Sequence, residues 1–137
     1  MILKDKARQY YLNDYNCAEA MLRAINDVYG LNLPEGSLLT ASGFGGGMGC
    51  EKACGALCGG IAALGPLLVQ DRAHATQGFG ERCAALVQAF ERDLCSDLCA
   101  DLKPRYKTEE SRCLKTVELA ADSFEREMET AGIRPRG

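Results

Sequence analysis

The chain is expected to fold as an all-α, single-domain bundle of about five helices, and three observations carry that expectation. Apolar residues recur at the three- and four-residue spacing of a helix face, as in Ala18, Met21, Leu22, Ile25, Val28 and Tyr29. No segment alternates polar and apolar residues over a useful length, and the β-branched Val and Ile are few. Gly, Pro and Asn-Asp breaks separate the periodic segments. The 137 residues suffice for one domain, residues 1–137, with an apolar core of its own.

Residues 2–13 read as a first helix, with Leu3, Ala7, Tyr10 and Tyr11 at helical spacing and a break at Asn13-Asp14-Tyr15. Asn16 then reads as an N-cap with Glu19 three residues on, the capping-box arrangement. Cys17 would thus lie in the first turn of a second helix, where partial positive charge favours a thiolate. Gly30 closes that helix. Pro34-Glu35-Gly36 is a turn, and residues 37–42 suit a short helix.

A glycine-rich loop follows and leads into a central Cys-rich helix, expected from near Cys50 to the stop signal Gly65-Pro66. Gln70 to Gly78 is a connector holding the one histidine, His74, beside Asp71 and Arg72, and a solvated side chain is expected there. Phe79, Cys83, Leu86, Val87, Phe90 and Leu94 form the stripe of the next helix, which places Cys83 in the core. Pro104 marks a break, Thr108 a cap, and Cys113, Val117, Ala120, Ala121, Phe124 and Met128 the inner face of a last helix ending at Gly132. The tail IRPRG is expected to fray.

Net charge is −3 with no block of Lys or Arg, which argues against a nucleic-acid or anionic-membrane surface. No hydrophobic segment follows Met1, so a cytoplasmic protein without leader or membrane span is expected. The loop GFGGGM lacks the last glycine of a dinucleotide fingerprint, and no Lys-Ser/Thr follows it as a phosphate loop requires.

Eight cysteines in a chain with no export signal point to metal or redox chemistry before structural disulfides. Apart from Cys83, they fall in four predicted helical segments: Cys17, the run Cys50/Cys54/Cys58, the pair Cys95/Cys99, and Cys113. Bundle cores bring such residues together as metal and cofactor sites. Within a helix an i, i+4 pair has Cβ atoms about 5–6 Å apart, whereas a disulfide needs about 3.5–4.5 Å. Shared metal or cluster ligation tolerates the wider spacing. Each glycine inside a helix costs roughly 1 kcal/mol against Ala. Gly55 and Gly59 are therefore expected where another helix or a cofactor approaches the backbone. There is no C-x-x-C, no haem attachment motif and no ferredoxin run. With one His and many Cys, all-sulfur ligation is expected, which suits zinc or iron–sulfur chemistry. No Cys/His or Ser/His/Asp pairing suggests a hydrolase.

Asn16-Cys17-Ala18-Glu19, the segment Cys54-Gly55-Ala56-Leu57-Cys58-Gly59, and the later Cys95 and Cys113 resemble the C_GCAxxG_C_C family of bacterial redox proteins. The resemblance spans nearly the whole chain. The anchor here reads C-G-A-x-x-G, a transposition of the family label. The resemblance implies a cytoplasmic or exported redox protein with an iron–sulfur cluster, its four characteristic cysteines being Cys17, Cys54, Cys95 and Cys113. It also implies likeness to part of the split-Soret cytochromes, without their haem motif. Cys50, Cys58 and Cys99 are secondary candidate ligands, and Cys83 also goes beyond the family pattern.

Three readings compete: electron transfer through a cysteine-ligated iron–sulfur cluster, metal-free thiol–disulfide exchange starting from Cys17, and a zinc- or metal-binding module without turnover. Whether the chain is an enzyme stays open. The expected partner is a redox protein of unknown identity, with no nucleic acid, and the oligomeric state is open, a homodimer included.

Overall fold

The computed structural model describes residues 1–136, and Gly137, the end of the tail expected to fray, lies outside the described residues. Seven helices form among them, and no strand. They are α1 (Ile2–Leu12), α2 (Cys17–Tyr29), α3 (Glu35–Leu38), α4 (Gly55–Leu68), α5 (Phe79–Leu94), α6 (Cys99–Tyr106) and α7 (Leu114–Thr130). The class is the all-α one expected. The number exceeds five because α3 is a separate turn of helix and the Cys95–Lys107 stretch holds its own helix, α6.

α2 begins as its sequence dictates. The Asn16 side chain accepts from the Glu19 N–H at 2.9 Å, and the Glu19 carboxylate accepts from the Asn16 N–H at 2.9 Å. Gly30, at φ 67, closes the helix in the left-handed conformation. α4 carries Ala56, Leu57, Ala63 and Leu64 and no charge, and such a helix must be buried. It packs chiefly on α2 and also touches α5 and α7, while α1 lies against α2 and α7. The core runs through Leu3, Met21, Ile25, Leu64, Phe90, Phe124 and Met128. At its centre the Tyr29 and Phe124 rings meet edge to face, with centroids 5.7 Å apart. α1 is tied to α7 by the buried Glu125 carboxylate, which accepts from the Leu3 N–H at 2.9 Å.

Several expected boundaries move. The central helix starts at Gly55, not near Cys50: residues 47–51 form a tight turn with positive φ at Gly47, Met48, Gly49 and Glu51. Cys50, Cys54 and Cys58 therefore do not share one helix. α4 runs through Pro66 to Leu68, and α6 runs through Pro104. In both cases the proline and the residue four before it, Ala62 or Ala100, are exposed, so water can satisfy the carbonyl that proline leaves unpaired. Thr108 caps no helix. It closes a turn with Arg112, and α7 begins after Cys113. Residues 133–136 do not fray: the Arg136 N–H bonds the Val28 carbonyl at 2.8 Å, and its side chain lies over Gly30.

Candidate functional site

Four helices present their N-terminal ends to one cavity of about 220 Å³, and each end carries a cysteine. Cys17 is the first residue of α2, Cys54 immediately precedes α4, Cys99 opens α6, and Cys113 immediately precedes α7. Helix N-termini carry unpaired N–H groups and partial positive charge. Converging on sulfur, they favour a group of negative charge.

Each cysteine is held by a different device. The capping box fixes where α2 begins, and with it Cys17. Gly55 leaves room for the Cys17 sulfur: a Cβ there would collide with Cys17 Sγ and sit 2.8 Å from the Phe44 carbonyl. Cys54 and Cys99 are brought together by a short antiparallel bridge between Ala53 and Leu98. Across it the Cys54 N–H bonds the Asp97 carbonyl at 2.8 Å, and the Cys99 N–H bonds the Lys52 carbonyl at 2.7 Å. Gly47, at φ 64, lets the turn close on this pair, since a Cβ would lie 2.8 Å from Cys99 Cβ. The Cys113 N–H donates to the Tyr11 hydroxyl at 3.0 Å.

Burial disfavours the thiolate at Cys17, Cys54 and Cys99. It pushes Cys17 up, against the Gly46 N–H. It pushes Cys54 up to about 12, Cys17 adding to the effect and the Leu57 and Ala56 N–H groups opposing it. Cys99 rises for the same reason, against the nearby Lys103 ammonium. The partial positive charge of the α2 N-terminus by itself favours a Cys17 thiolate. Desolvation outweighs it, so a bound cation must displace protons here.

The remaining candidates lie elsewhere. Cys95 closes α5 at φ 78 and is exposed, outside the cavity. Cys50 is exposed in the 47–51 turn. Cys58 is half-buried and lines a separate apolar groove with Phe44, Leu57, Ile61 and Val87. Cys83 packs on the core from the α5 stripe, and His74 is exposed. Gly55 lines the cavity. Gly59 does not: it faces α2, where a Cβ would lie 2.5 Å from the Ala18 carbonyl oxygen.

The cavity also has polar walls, whose residues the sequence suggested only as a helix face at Tyr11 and an N-cap at Asn16, giving the others no role. Tyr11, Asn16, Lys103, Lys107, Arg112 and Thr116 line it. Adjacency to Cys17 and Cys113 was the available signal for Asn16 and Arg112. Among the described residues, no group of three or more His, Cys, Asp or Glu side chains is disposed to hold a single metal ion. No helix among them is long and apolar enough to cross a membrane.

A family model described as "Putative redox-active protein (C_GCAxxG_C_C)" matches residues 15–126, a span that includes all four cavity cysteines. No curated protein and no solved structure matches the chain.

Proposed function

Since the chain belongs to the C_GCAxxG_C_C family, we propose that it is an electron-transfer protein whose cavity cysteines, Cys17, Cys54, Cys99 and Cys113, hold an iron–sulfur cluster. One observation carries the reading: four cysteines, distant in sequence and each at a helix N-terminus, line one cavity. The donor set fits the group. Four thiolates are its usual ligands, and sulfurs spread around a wall suit several irons better than one ion. The glycine at position 55 keeps space beside Cys17 that a side chain would fill.

When bound, such a cluster supplies a one-electron couple. The chain supplies the rest. The N–H groups of Gly46, Ala56 and Leu57 point to the sulfurs of Cys17 and Cys54 and stabilise their negative charge. Leu102 and Tyr11, both buried, keep water from the inner wall. A one-electron carrier protein gives up one electron at the exposed mouth, and an oxidised carrier takes it away, with no bond made or broken.

The thiol chemistry weighs against metal-free disulfide exchange, because that reaction needs a thiolate and burial raises Cys17, Cys54 and Cys99. A zinc module would need ligands converging on one point.

Anaerobic reconstitution with ferrous iron and sulfide tests the proposal. Brown protein with bound iron and acid-labile sulfide is expected. Serine at 17, 54, 99 or 113 should reduce both contents, and Cys95→Ser should leave them unchanged. Colourless protein with neither iron nor sulfide refutes the reading, and loss from Cys95→Ser with retention in Cys99→Ser refutes the ligand set.

A further inference from the structure

The cavity is walled by cations, hydrogen-bond donors and neutral groups, and no Asp or Glu among the described residues lines it. In a chain of net charge −3 that is a local reversal. Lys103 is engaged by Glu51 at 2.9 Å. Neither Lys107 nor Arg112 has a carboxylate within ion-pair distance among the described residues.

Arg112 is held in place rather than loose. It sits at φ 53, which a side-chain-bearing residue rarely adopts. Its N–H and carbonyl pair with Thr108 at 2.8 and 3.1 Å. Its guanidinium lies over the Tyr11 ring, 5.0 Å from the centroid. Beneath it, the buried Tyr11 hydroxyl accepts the Cys113 N–H and has no acceptor for its own proton among the described residues. That proton is available to a group in the cavity.

We infer that Tyr11, Lys107 and Arg112 form an anion-favouring wall that sets the reduction potential of the group held by the four cysteines. The inference rests on the cluster reading above. Reduction moves one electron from a one-electron donor protein into the site, adds one negative charge, and breaks no bond. A hydrogen bond to sulfur and two nearby cations stabilise that added charge, and so raise the potential.

The test has two arms. In the first, iron and sulfide are assayed in reconstituted wild type, Tyr11→Phe and the Lys107→Gln/Arg112→Gln double variant, and midpoint potentials are then titrated. The double variant should keep its iron and sulfide and show a lower potential, by about 59 mV for a tenfold shift in a one-electron equilibrium. Tyr11→Phe should shift in the same direction. Unchanged potentials at wild-type iron and sulfide content overturn the inference.

The second arm uses folded, reduced protein without metal. Alkylation at Cys113 by anionic iodoacetate and neutral iodoacetamide is compared by peptide mass spectrometry, with exposed Cys95 as internal reference. The iodoacetate preference at Cys113 should fall several-fold in the double variant, and an unchanged preference overturns the wall. A wild type that takes up neither iron nor sulfide sinks the cluster reading alone, and this arm then decides the wall by itself.

Discussion

Replacing Gly59 with alanine should destabilise the protein although alanine is the better helix former. Gly59 lies inside α4, so propensity alone would return roughly 1 kcal/mol. Against this, the new Cβ would lie 2.5 Å from the Ala18 carbonyl oxygen and 3.0 Å from Met21 Cβ, both on α2. The carbonyl is backbone and cannot rotate away, so α2 and α4 must part by roughly 1 Å in a close-packed interior. Overpacking of this kind costs about 1–3 kcal/mol or more, and a backbone obstacle belongs at the upper end. The expected net loss is about 1–2 kcal/mol, read as a lower urea midpoint at unchanged slope. Gly80 in α5 is the control, since nothing lies within 4 Å of a Cβ built there. Gly80→Ala should be neutral or stabilising by up to about 1 kcal/mol. A Gly59→Ala protein as stable as wild type would show that the α2–α4 crossing does not depend on a missing side chain.

Other perturbations probe separate parts of the molecule. Cys83→Ser puts a hydroxyl against the core and should lower stability by about 1 kcal/mol, while iron bound on reconstitution stays at the wild-type level. Glu125→Ala leaves the Leu3 N–H without a partner in a fully buried position. It should cost about 1–3 kcal/mol, with faster hydrogen exchange in the first turn of α1. Burial and the Asp27 carboxylate push the Tyr10 phenol up to about 12 from an ordinary 10.0. The folded value lies above the unfolded one, so this contribution is present below pH 10 and fades as pH rises toward 12. Tyr10→Phe should lower stability near neutrality by roughly 0.5–1.5 kcal/mol and flatten the alkaline decline in denaturation curves taken across that range.

What the sequence disclosed was what local rules govern. The capping box at Asn16 and Glu19, the left-handed Gly30 and the Phe79–Leu94 stripe each follow from neighbours within a turn or two, and each stands where expected. The site was half legible for the same reason: Cys17 depends on its own helix start. The choice between Cys95 and Cys99 does not. Both sit at i, i+4 near a helix end, and only the pairing of residues 52–54 with 97–99 separates them. That contact joins segments more than forty residues apart and leaves no periodic trace. The start of α4 was misplaced by the same blindness, because the turn at 47–51 exists to reach Cys99 and Lys52. The prolines misled because their penalty was taken as absolute, whereas an exposed helix face lets water absorb it.

The way the cavity is assembled has a consequence for the life of the chain on the ribosome. Its four cysteines stand at the starts of the second, fourth, sixth and seventh helices, and the 53–98 bridge closes only after most of the polypeptide exists. Synthesis runs from the N-terminus at a finite pace. Cys17 and Cys54 therefore emerge and wait, uncovered, until the segments carrying Cys99 and Cys113 are made. The cavity itself is completed only after synthesis, and the nascent chain passes through an interval in which its early thiols are more open to oxidants than in the finished fold, where Cys54 is buried and Cys17 half-buried.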